Sequence, residues 1–161
     1  MENIYFQSVL PHVFADNSDM ESEVWRQNLT FEKGRLYLVE AGSGKGKSTF
    51  CSYIVGYRHD YDGKVLFDDK DVTTFSIDGW TELRQRHISY LFQELRLFPE
   101  LTAWENVKIK NDLTAYQTEA QLKEWFSMLG IADKLDSLVA HMSFGQQQRV
   151  AMIRALAQPF D

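Results

Sequence analysis

Cysteine, proline and long apolar runs are all scarce in this sequence, and each shortage narrows the possible classes of protein. The single cysteine, Cys51, excludes an internal disulfide framework, and its side chain is expected to be a small buried one. The 3 prolines form no proline-rich linker. No run approaches the roughly 18 apolar residues of a membrane span, so the chain is expected to be soluble and to need a partner for any membrane role.

Basic residues are also in the minority. The chain has 17 Lys and Arg against 23 Asp and Glu, a net charge of −6. This balance argues against a general nucleic-acid binder held by a basic face, while leaving room for local basic sites. The histidines show no clustered spacing of metal ligands, so surface or packing roles are expected for His12, His59, His87 and His141.

The apolar content is sufficient for one core. Of the 161 residues, 44% are apolar and 14% aromatic, which predicts a single domain. The opening "MENIYFQS" resembles a viral-protease cleavage tag with Ile4 in place of leucine, so residues 1–8 are expected to be a tag remnant outside the fold. The domain is then expected to span residues 9–161.

Four short segments before residue 94 indicate strands and a helix. "LYLV" at 36–39 is continuously apolar, which predicts a strand covered on both faces in a parallel sheet, and "HISYLFQ" at 87–93 predicts a second buried strand. "KVLFDDKDV" at 64–72 predicts a short surface hairpin, and "IDGWTELRQR" at 77–86 predicts a short helix.

A helical block is predicted from about residue 101 to residue 140. Thr118 and Gln121 have the spacing of a capping box, and Gly130 is placed to end the helix that follows. Four apolar residues share one face of that helix and are expected to pack in the core rather than to stack on a ligand: Leu122, Trp125, Phe126 and Leu129.

The segment "GSGKGKST" predicts a phosphate-binding loop. Two Gly-Lys pairs occur, but only Gly46-Lys47 is followed by a hydroxyl residue, Ser48, which fixes the register. Glycines let backbone N–H groups converge on phosphate oxygens, and a helix that begins near Lys47 points its positive end at them. Lys47 is expected to neutralise the outer phosphates and Ser48 to ligate magnesium. The predicted nucleotide-binding residues are Gly42, Ser43, Gly44, Lys45, Gly46, Lys47, Ser48 and Thr49.

Two alternatives stay open in this loop. The segment could be a flexible glycine-serine hairpin or linker, and Lys45 could be a solvated residue instead of a phosphate contact. The pattern G-x-x-x-x-G-K-[ST] expects glycine at position 41, where this chain has Ala41. If that position needs positive φ, alanine costs on the order of 1 kcal/mol there.

A second capping pattern lies near the end of the chain. Ser143 and Gln146 predict the start of a helix that continues through Val150, Ile153 and Leu156. A capped helix start by itself is weak support for a ligand site, since most such helices bind nothing.

Taken together, three motifs resemble the ATP-binding cassette (ABC) family. They are the phosphate loop "AGSGKGKST", a glutamine loop within "SYLFQELRLFPELTAWENV", and "MSFGQQQRVAMIRALAQP", which is similar to the "LSGGQ" signature. Met142 and Phe144 depart from that signature. Gln93 follows Lys47 by 46 residues and Ser143 follows Gln93 by 50, which leaves no room for a long coiled-coil insertion.

The resemblance implies an α/β fold of the P-loop NTPase class. The family has a parallel core sheet, an antiparallel β-subdomain and a helical subdomain, here at about 94–141. It implies binding of ATP with Mg²⁺, with Gln93 sensing the magnesium and the attacking water. Ser143, Gly145 and Gln146 would contact ATP held by a second subunit in a head-to-tail dimer. Phe14 is the candidate for stacking on adenine, with a core role as the alternative.

It also implies partners and a location. The segment after Gln93 would face a membrane-spanning transporter subunit, which places the chain in the cytoplasm at the inner face of the membrane. "LRLFPELTAWENV" is most similar to transporters of the lipoprotein-release and macrolide-export type. No nucleic-acid partner is expected.

Two family segments have no counterpart in this sequence: the strand that ends in the catalytic acid (Walker B) and the strand with a histidine. Asp161 follows "AQPF" before any such strand and is not a substitute. We therefore expect an incomplete core sheet and no hydrolysis at a family rate. Truncation, omission of the remainder, or a second chain in the gap would each explain this. The alternatives in function are a non-hydrolysing nucleotide-binding regulatory or assembly module, and a soluble ABC protein not coupled to transport.

Overall fold

A four-stranded antiparallel sheet organises the first part of the chain. A computed structural model describes residues 1–17 and 21–161, and these form two units: Met1–Thr81 with Asp161, and Glu82–Phe160. In the first unit the strand order is β2-β1-β3-β4. The strands are β1 (Asn3–Pro11), β2 (Asn28–Glu32), β3 (Tyr61–Phe67) and β4 (Lys70–Asp71).

Strand β1 lies inside this sheet and pairs on both sides. Ile4 faces Phe31 of β2 and Phe67 of β3, and Phe6 faces Leu29 and Val65. The structure thus differs from the expectation that residues 1–8 lie outside the fold. Phe6 and Val9 in this segment are fully buried, and the backbone pairing with β2 and β3 on both sides makes the segment a strand.

A bulge interrupts the β1–β3 ladder between Gln7 and Leu10. Ser8 has φ 51°, and its N–H donates to the Gln27 carbonyl over 3.0 Å. Opposite it, Gly63 has φ 92°, and a β-carbon there would lie 2.5 Å from the Gln7 carbonyl oxygen. Only glycine allows the two backbones to approach this closely, so position 63 fixes the register of the sheet.

Helix α1 (Lys47–Ile54) packs its aromatic residues on the sheet. Phe50 is stacked on Phe6 with ring centroids 4.8 Å apart, and Tyr53 is fully buried beside Tyr61 of β3. The predicted hairpin is confirmed as β3–β4, and the predicted helix at 77–86 is confirmed as α2 (Ile77–Arg86).

The prediction of two parallel strands is wrong, because the structure forms no strand at either segment. Residues 36–39 and 88–92 have no strand pairing, and Leu36 and Leu38 are 103% and 82% exposed. A strand buried on both faces needs neighbours that accept its backbone hydrogen bonds, and no such neighbour lies alongside in the described ranges. The core sheet of the expected α/β fold is therefore incomplete, as the sequence predicts.

The second unit is helical. Its main elements are α3 (Ala103–Asn111), α4 (Glu119–Met128) and α5 (Phe144–Leu156). Helices α3 and α4 lie within the helical block predicted at about 101–140 and confirm it. The Thr118 hydroxyl accepts from the Gln121 N–H, and Gly130 follows α4 with φ 66°, as the capping pattern predicts. Leu122 and Phe126 of α4 pack with Val107, Val150 and Ile153 in one apolar core, against which Trp125 and Leu129 are partly buried. Over residues 1–17 and 21–161, no helix has both the length and the apolar character needed to cross a membrane.

Candidate functional site

The predicted phosphate loop ends at the start of α1. Gly46 is the N-cap residue with φ 95°, and Gly44 has φ 75°, so both glycines adopt conformations that disfavour a side chain. The first N–H groups of a helix have no intrahelical acceptor, and the helix dipole places partial positive charge there. The exposed residues 47 and 48 therefore present donors suited to an anion.

The Lys47 ammonium group closes the loop on itself. It donates to the Ala41 carbonyl oxygen and, over 3.0 Å, to the Gly42 carbonyl oxygen. An ammonium group has three donors, so one is left for an oxygen of a ligand. Ala41 is not among the residues with positive φ, which means that the conditional cost of alanine at this position does not apply.

Two aromatic rings cover Gly46. A β-carbon on Gly46 would lie 2.9 Å from Trp25 Cζ2 and 3.0 Å from Phe14 Cε2. The Trp25 indole N–H also donates to the Lys45 carbonyl oxygen over 3.3 Å, and its side chain is 4% exposed. The loop is thus held against an aromatic wall that forms between the end of β1 and the start of β2.

A cavity of about 660 Å³ opens beside the loop, within the first unit. This volume lies in the usual range for small-molecule sites. Its lining combines rings with the loop lysines and includes Trp25, Phe31, Tyr37, Lys45, Lys47 and Phe50. Such a lining offers apolar ring faces together with cationic groups, so these residues fit a nucleotide. No group of three His, Cys, Asp or Glu side chains suited to a metal ion occurs within residues 1–17 and 21–161.

Thr49 and Cys51 of α1 are both half-buried. Arg58 donates to the Thr49 hydroxyl over 3.4 Å and forms an ion pair with Asp60. The hydrogen bond from Arg58 holds the pKa of the Asp60 carboxyl below its ordinary value. Burial raises the pKa of the half-buried Cys51 thiol, which therefore stays protonated at neutral pH.

The predicted signature residues lie at the start of α5, in the second unit. The Ser143 N–H donates to Gln146 Oε1 over 2.9 Å, and the Gln146 N–H donates to Ser143 Oγ over 3.4 Å. The predicted capping box is confirmed. Gly145 has open space where a β-carbon would stand, and Phe144 is 63% exposed, so this helix start faces solvent.

The structure brings Phe14 together with Gly46 but leaves its predicted role untested. Gln93 is exposed in a turn of the second unit, after the 88–92 segment. Sequence reasoning missed Trp25, because the residue stands in "ESEVW", outside any recognisable motif. Its one signal is a large apolar residue three positions before β2, which predicts burial but not contact with the loop.

Comparisons with known proteins agree on one family. Residues 25–160 match the family model described as ABC transporter. The macrolide export ATP-binding/permease protein MacB of Pasteurella multocida is 33% identical over 144 residues, which cover 87% of this chain and 22% of that protein. The ABC transporter ATP-binding protein YtrE of Bacillus subtilis is 31% identical, covering 80% and 57%. The thiamine import ATP-binding protein ThiQ of Vibrio parahaemolyticus is 33% identical, covering 86% and 58%.

A solved structure agrees as well. The dimeric post-hydrolysis state of the ATP-binding cassette MJ0796, bound to ADP and Pi, superposes with a TM-score of 0.75 at 27% identity, covering 96% of this chain and 69% of that one. The chain spans less than two thirds of the length of the three relatives named above. Because the family model matches most of its residues, the chain belongs to the ABC transporter family and has the P-loop NTPase fold of its ATP-binding cassettes.

Proposed function

We propose that this chain is the ATP-binding part of an ABC transporter subunit and binds MgATP at residues 42–49. The observation that carries the proposal is the geometry of Lys47, which begins α1 and bridges the carbonyls of Ala41 and Gly42. The loop thus combines an ammonium donor left over from these two bonds, the N–H groups of the first turn of α1 and two glycines with positive φ. This is a site for the outer phosphates of a nucleotide.

Other residues take the roles implied by the family. Ser48 supplies a hydroxyl ligand for magnesium, which when bound neutralises charge on the phosphates. Phe14 and the cavity beside Trp25 receive the base. Gln93 orients magnesium and the attacking water. Ser143, Gly145 and Gln146 contact the nucleotide of a second copy in a head-to-tail dimer, which fits their exposure at the start of α5.

The proposed partners follow from the same roles. A membrane-spanning transporter subunit would hold the chain at the cytoplasmic face of the membrane, and no nucleic acid is involved. Relatives named for export and for import both match, so neither direction of transport is favoured.

We further propose that these 161 residues bind ATP without hydrolysing it at a family rate. Phosphoryl transfer depends on a group that orients the attacking water and on charge around the outer phosphate. No acidic residue of the sequence stands after an apolar strand that follows α5, and Asp161 pairs with Lys33 and the amino terminus. A longer form of the protein that contains such an acidic residue would couple ATP hydrolysis to transport.

The test is ATP affinity by isothermal titration with magnesium present. Lys47→Ala should weaken binding by 10-fold or more, since it removes the ammonium donor. Lys64→Ala, which removes an exposed lysine of β3, is the matched control and should bind as the parent chain does. Equal affinity in the parent and Lys47→Ala would refute the site. Steady phosphate release that Lys47→Ala abolishes would refute the proposed lack of hydrolysis and leave the site intact.

A further inference from the structure

The C-terminal half of α5 contacts the segment that contains Gln93. Five hydrogen bonds from three side chains join this region to α5 and to Gln158, which stands two residues after the end of α5, all within the second unit. Arg154 donates to the carbonyls of Leu95 and Arg96, Ser89 donates to the Ala155 carbonyl, and Gln158 donates to the carbonyls of Arg84 and Ile88. The helix that begins with the signature residues therefore ends on the turn that carries the predicted magnesium sensor.

That turn has a backbone that needs support. The Leu95 N–H donates to the Phe92 carbonyl over 3.0 Å, and the Arg96 N–H donates to the Glu94 carbonyl over 2.6 Å, so the chain reverses twice within five residues. Leu95 and Arg96 have φ values of 58° and 48°. Two consecutive non-glycine residues in the left-handed region are strained, and such a conformation persists only where the surroundings enforce it.

Arg154 supplies that enforcement. Its guanidinium donates to the Leu95 carbonyl over 2.5 Å and to the Arg96 carbonyl over 2.7 Å, so one planar group fixes both strained residues. The Leu95 side chain is buried, which anchors the turn from its other face. In the part of the chain that the structure describes, no carboxylate pairs with Arg154, and its guanidinium donates to these two carbonyls.

Gln158 and Ser89 hold the approach to the turn. Gln158 is 1% exposed, and its amide donates over 2.6 Å to the Ile88 carbonyl and over 3.1 Å to the Arg84 carbonyl. Ser89 satisfies the Ala155 carbonyl, one of the last four of α5, which lack intrahelical donors. The 88–92 segment forms no strand, and these side-chain bonds join it to the end of α5 and to Gln158.

We propose that Arg154 is a positioning residue that holds Gln93 in place by fixing the 92–96 turn, and that it thereby links the signature helix to the glutamine loop. The structural part stands on the contacts above. The consequence for magnesium rests on the proposed function, because it requires Gln93 to act on bound MgATP.

The experiment has two readouts on the full chain. The first is amide hydrogen exchange of peptides covering 92–97, compared with peptides from the middle of α5. Arg154→Gln should accelerate exchange in 92–97 by 10-fold or more and leave α5 unchanged. Arg149→Gln is the matched control, since it removes an exposed arginine of the same helix that donates to a single distant carbonyl, that of Leu129.

The second readout is the gain in ATP affinity when magnesium replaces EDTA. Arg154→Gln should reduce this gain to the value found for Gln93→Ala, with affinity in EDTA unchanged within 2-fold. Arg154→Lys should restore only part of the gain, because the shorter lysine side chain lacks the planar fork of donors with which the guanidinium reaches the Leu95 and Arg96 carbonyls. Arg149→Gln should keep the parental gain.

Each outcome decides a separate claim. Unaltered exchange at 92–97 in Arg154→Gln, or equal acceleration throughout the unit, overturns the positioning role. Local acceleration with a full magnesium gain overturns the link to Gln93. Absence of ATP binding by the parent chain refutes the proposed function and with it the magnesium link, whereas the exchange result still decides whether Arg154 fixes the turn.

Discussion

Trp25 Cζ2 lies 2.9 Å from the point where a β-carbon on Gly46 would stand. The contact is too close for any side chain at position 46, and φ 95° adds backbone strain. We predict that Gly46→Ala lowers the free energy of unfolding by roughly 1–3 kcal/mol and weakens ATP binding. Urea unfolding and titration calorimetry measure the two effects.

The control for this prediction is Gly44→Ala. Gly44 shares the left-handed backbone, with φ 75°, but has open space around its α-carbon. Gly44→Ala should lower the free energy of unfolding only by the cost of the left-handed backbone, on the order of 1 kcal/mol. If the two alanine variants were equally stable, the contact with the Trp25 and Phe14 rings would not restrict position 46.

Ala41→Gly should not improve nucleotide binding. The backbone at position 41 is outside the left-handed region, so alanine carries no conformational cost there. Glycine would instead add freedom to the unfolded chain, and we predict a loss of about 0.5–1 kcal/mol in the free energy of unfolding. ATP affinity should stay within 2-fold by calorimetry. A 10-fold tighter complex would mean that the loop changes its backbone when it binds.

Ser143→Ala should destabilise the second unit. The Ser143 hydroxyl accepts from the Gln146 N–H, and the Gln146 side chain accepts in return. Loss of an N-cap costs about 1 kcal/mol, measured by urea unfolding. Ser143→Thr retains a capping hydroxyl and should lose a few tenths of that value. Equal losses in the two variants would contradict the capping role.

Stability should fall in alkaline solution. Burial raises the pKa of Tyr53 and of Tyr61 to about 12, against an ordinary value of 10.0. The folded state therefore holds these protons more tightly than the unfolded state, so their contribution is complete below pH 10 and is lost between about pH 10 and 12. Urea midpoints measured across that range should decline.

Replacing each tyrosine by phenylalanine separates the contributions of Tyr53 and Tyr61 to the alkaline loss of stability. Tyr61→Phe should flatten the alkaline decline and preserve or increase stability at pH 7, because the Tyr61 hydroxyl is buried and pairs with no other described group. Tyr53→Phe should also flatten the decline but lose about 1 kcal/mol at pH 7, since its hydroxyl donates to the Asp60 carbonyl. An unchanged slope in both variants would place the alkaline transition elsewhere.

Local patterns in the sequence predicted local structure well. The caps at Thr118 and Ser143 and the start of α1 at Lys47 depend on contacts within four residues, so their spacing is sufficient to identify them. The phosphate loop could be placed for the same reason, because one lysine followed by one hydroxyl fixes its register.

Non-local pairing could not be predicted in this way. The apolar runs at 36–39 and 88–92 have the composition of buried strands, but a strand exists only where another strand completes its hydrogen bonds. The start of β1 could not be predicted because the sequence of residues 1–8 resembles a cleavage tag. The contact of Trp25 with Gly46 joins residues 21 positions apart through the packing of two loops, which no single pattern encodes.

The Trp25 contact also allows the phosphate loop to be monitored by tryptophan fluorescence. An indole that is 4% exposed and hydrogen-bonded to the Lys45 carbonyl should emit at short wavelength, and any rearrangement of residues 45–47 would alter that emission. The chain has 4 tryptophans, and replacing the other three, Trp80, Trp104 and Trp125, by phenylalanine would leave one built-in reporter beside the lysine. Occupancy of the loop could then be followed in real time without attaching a dye.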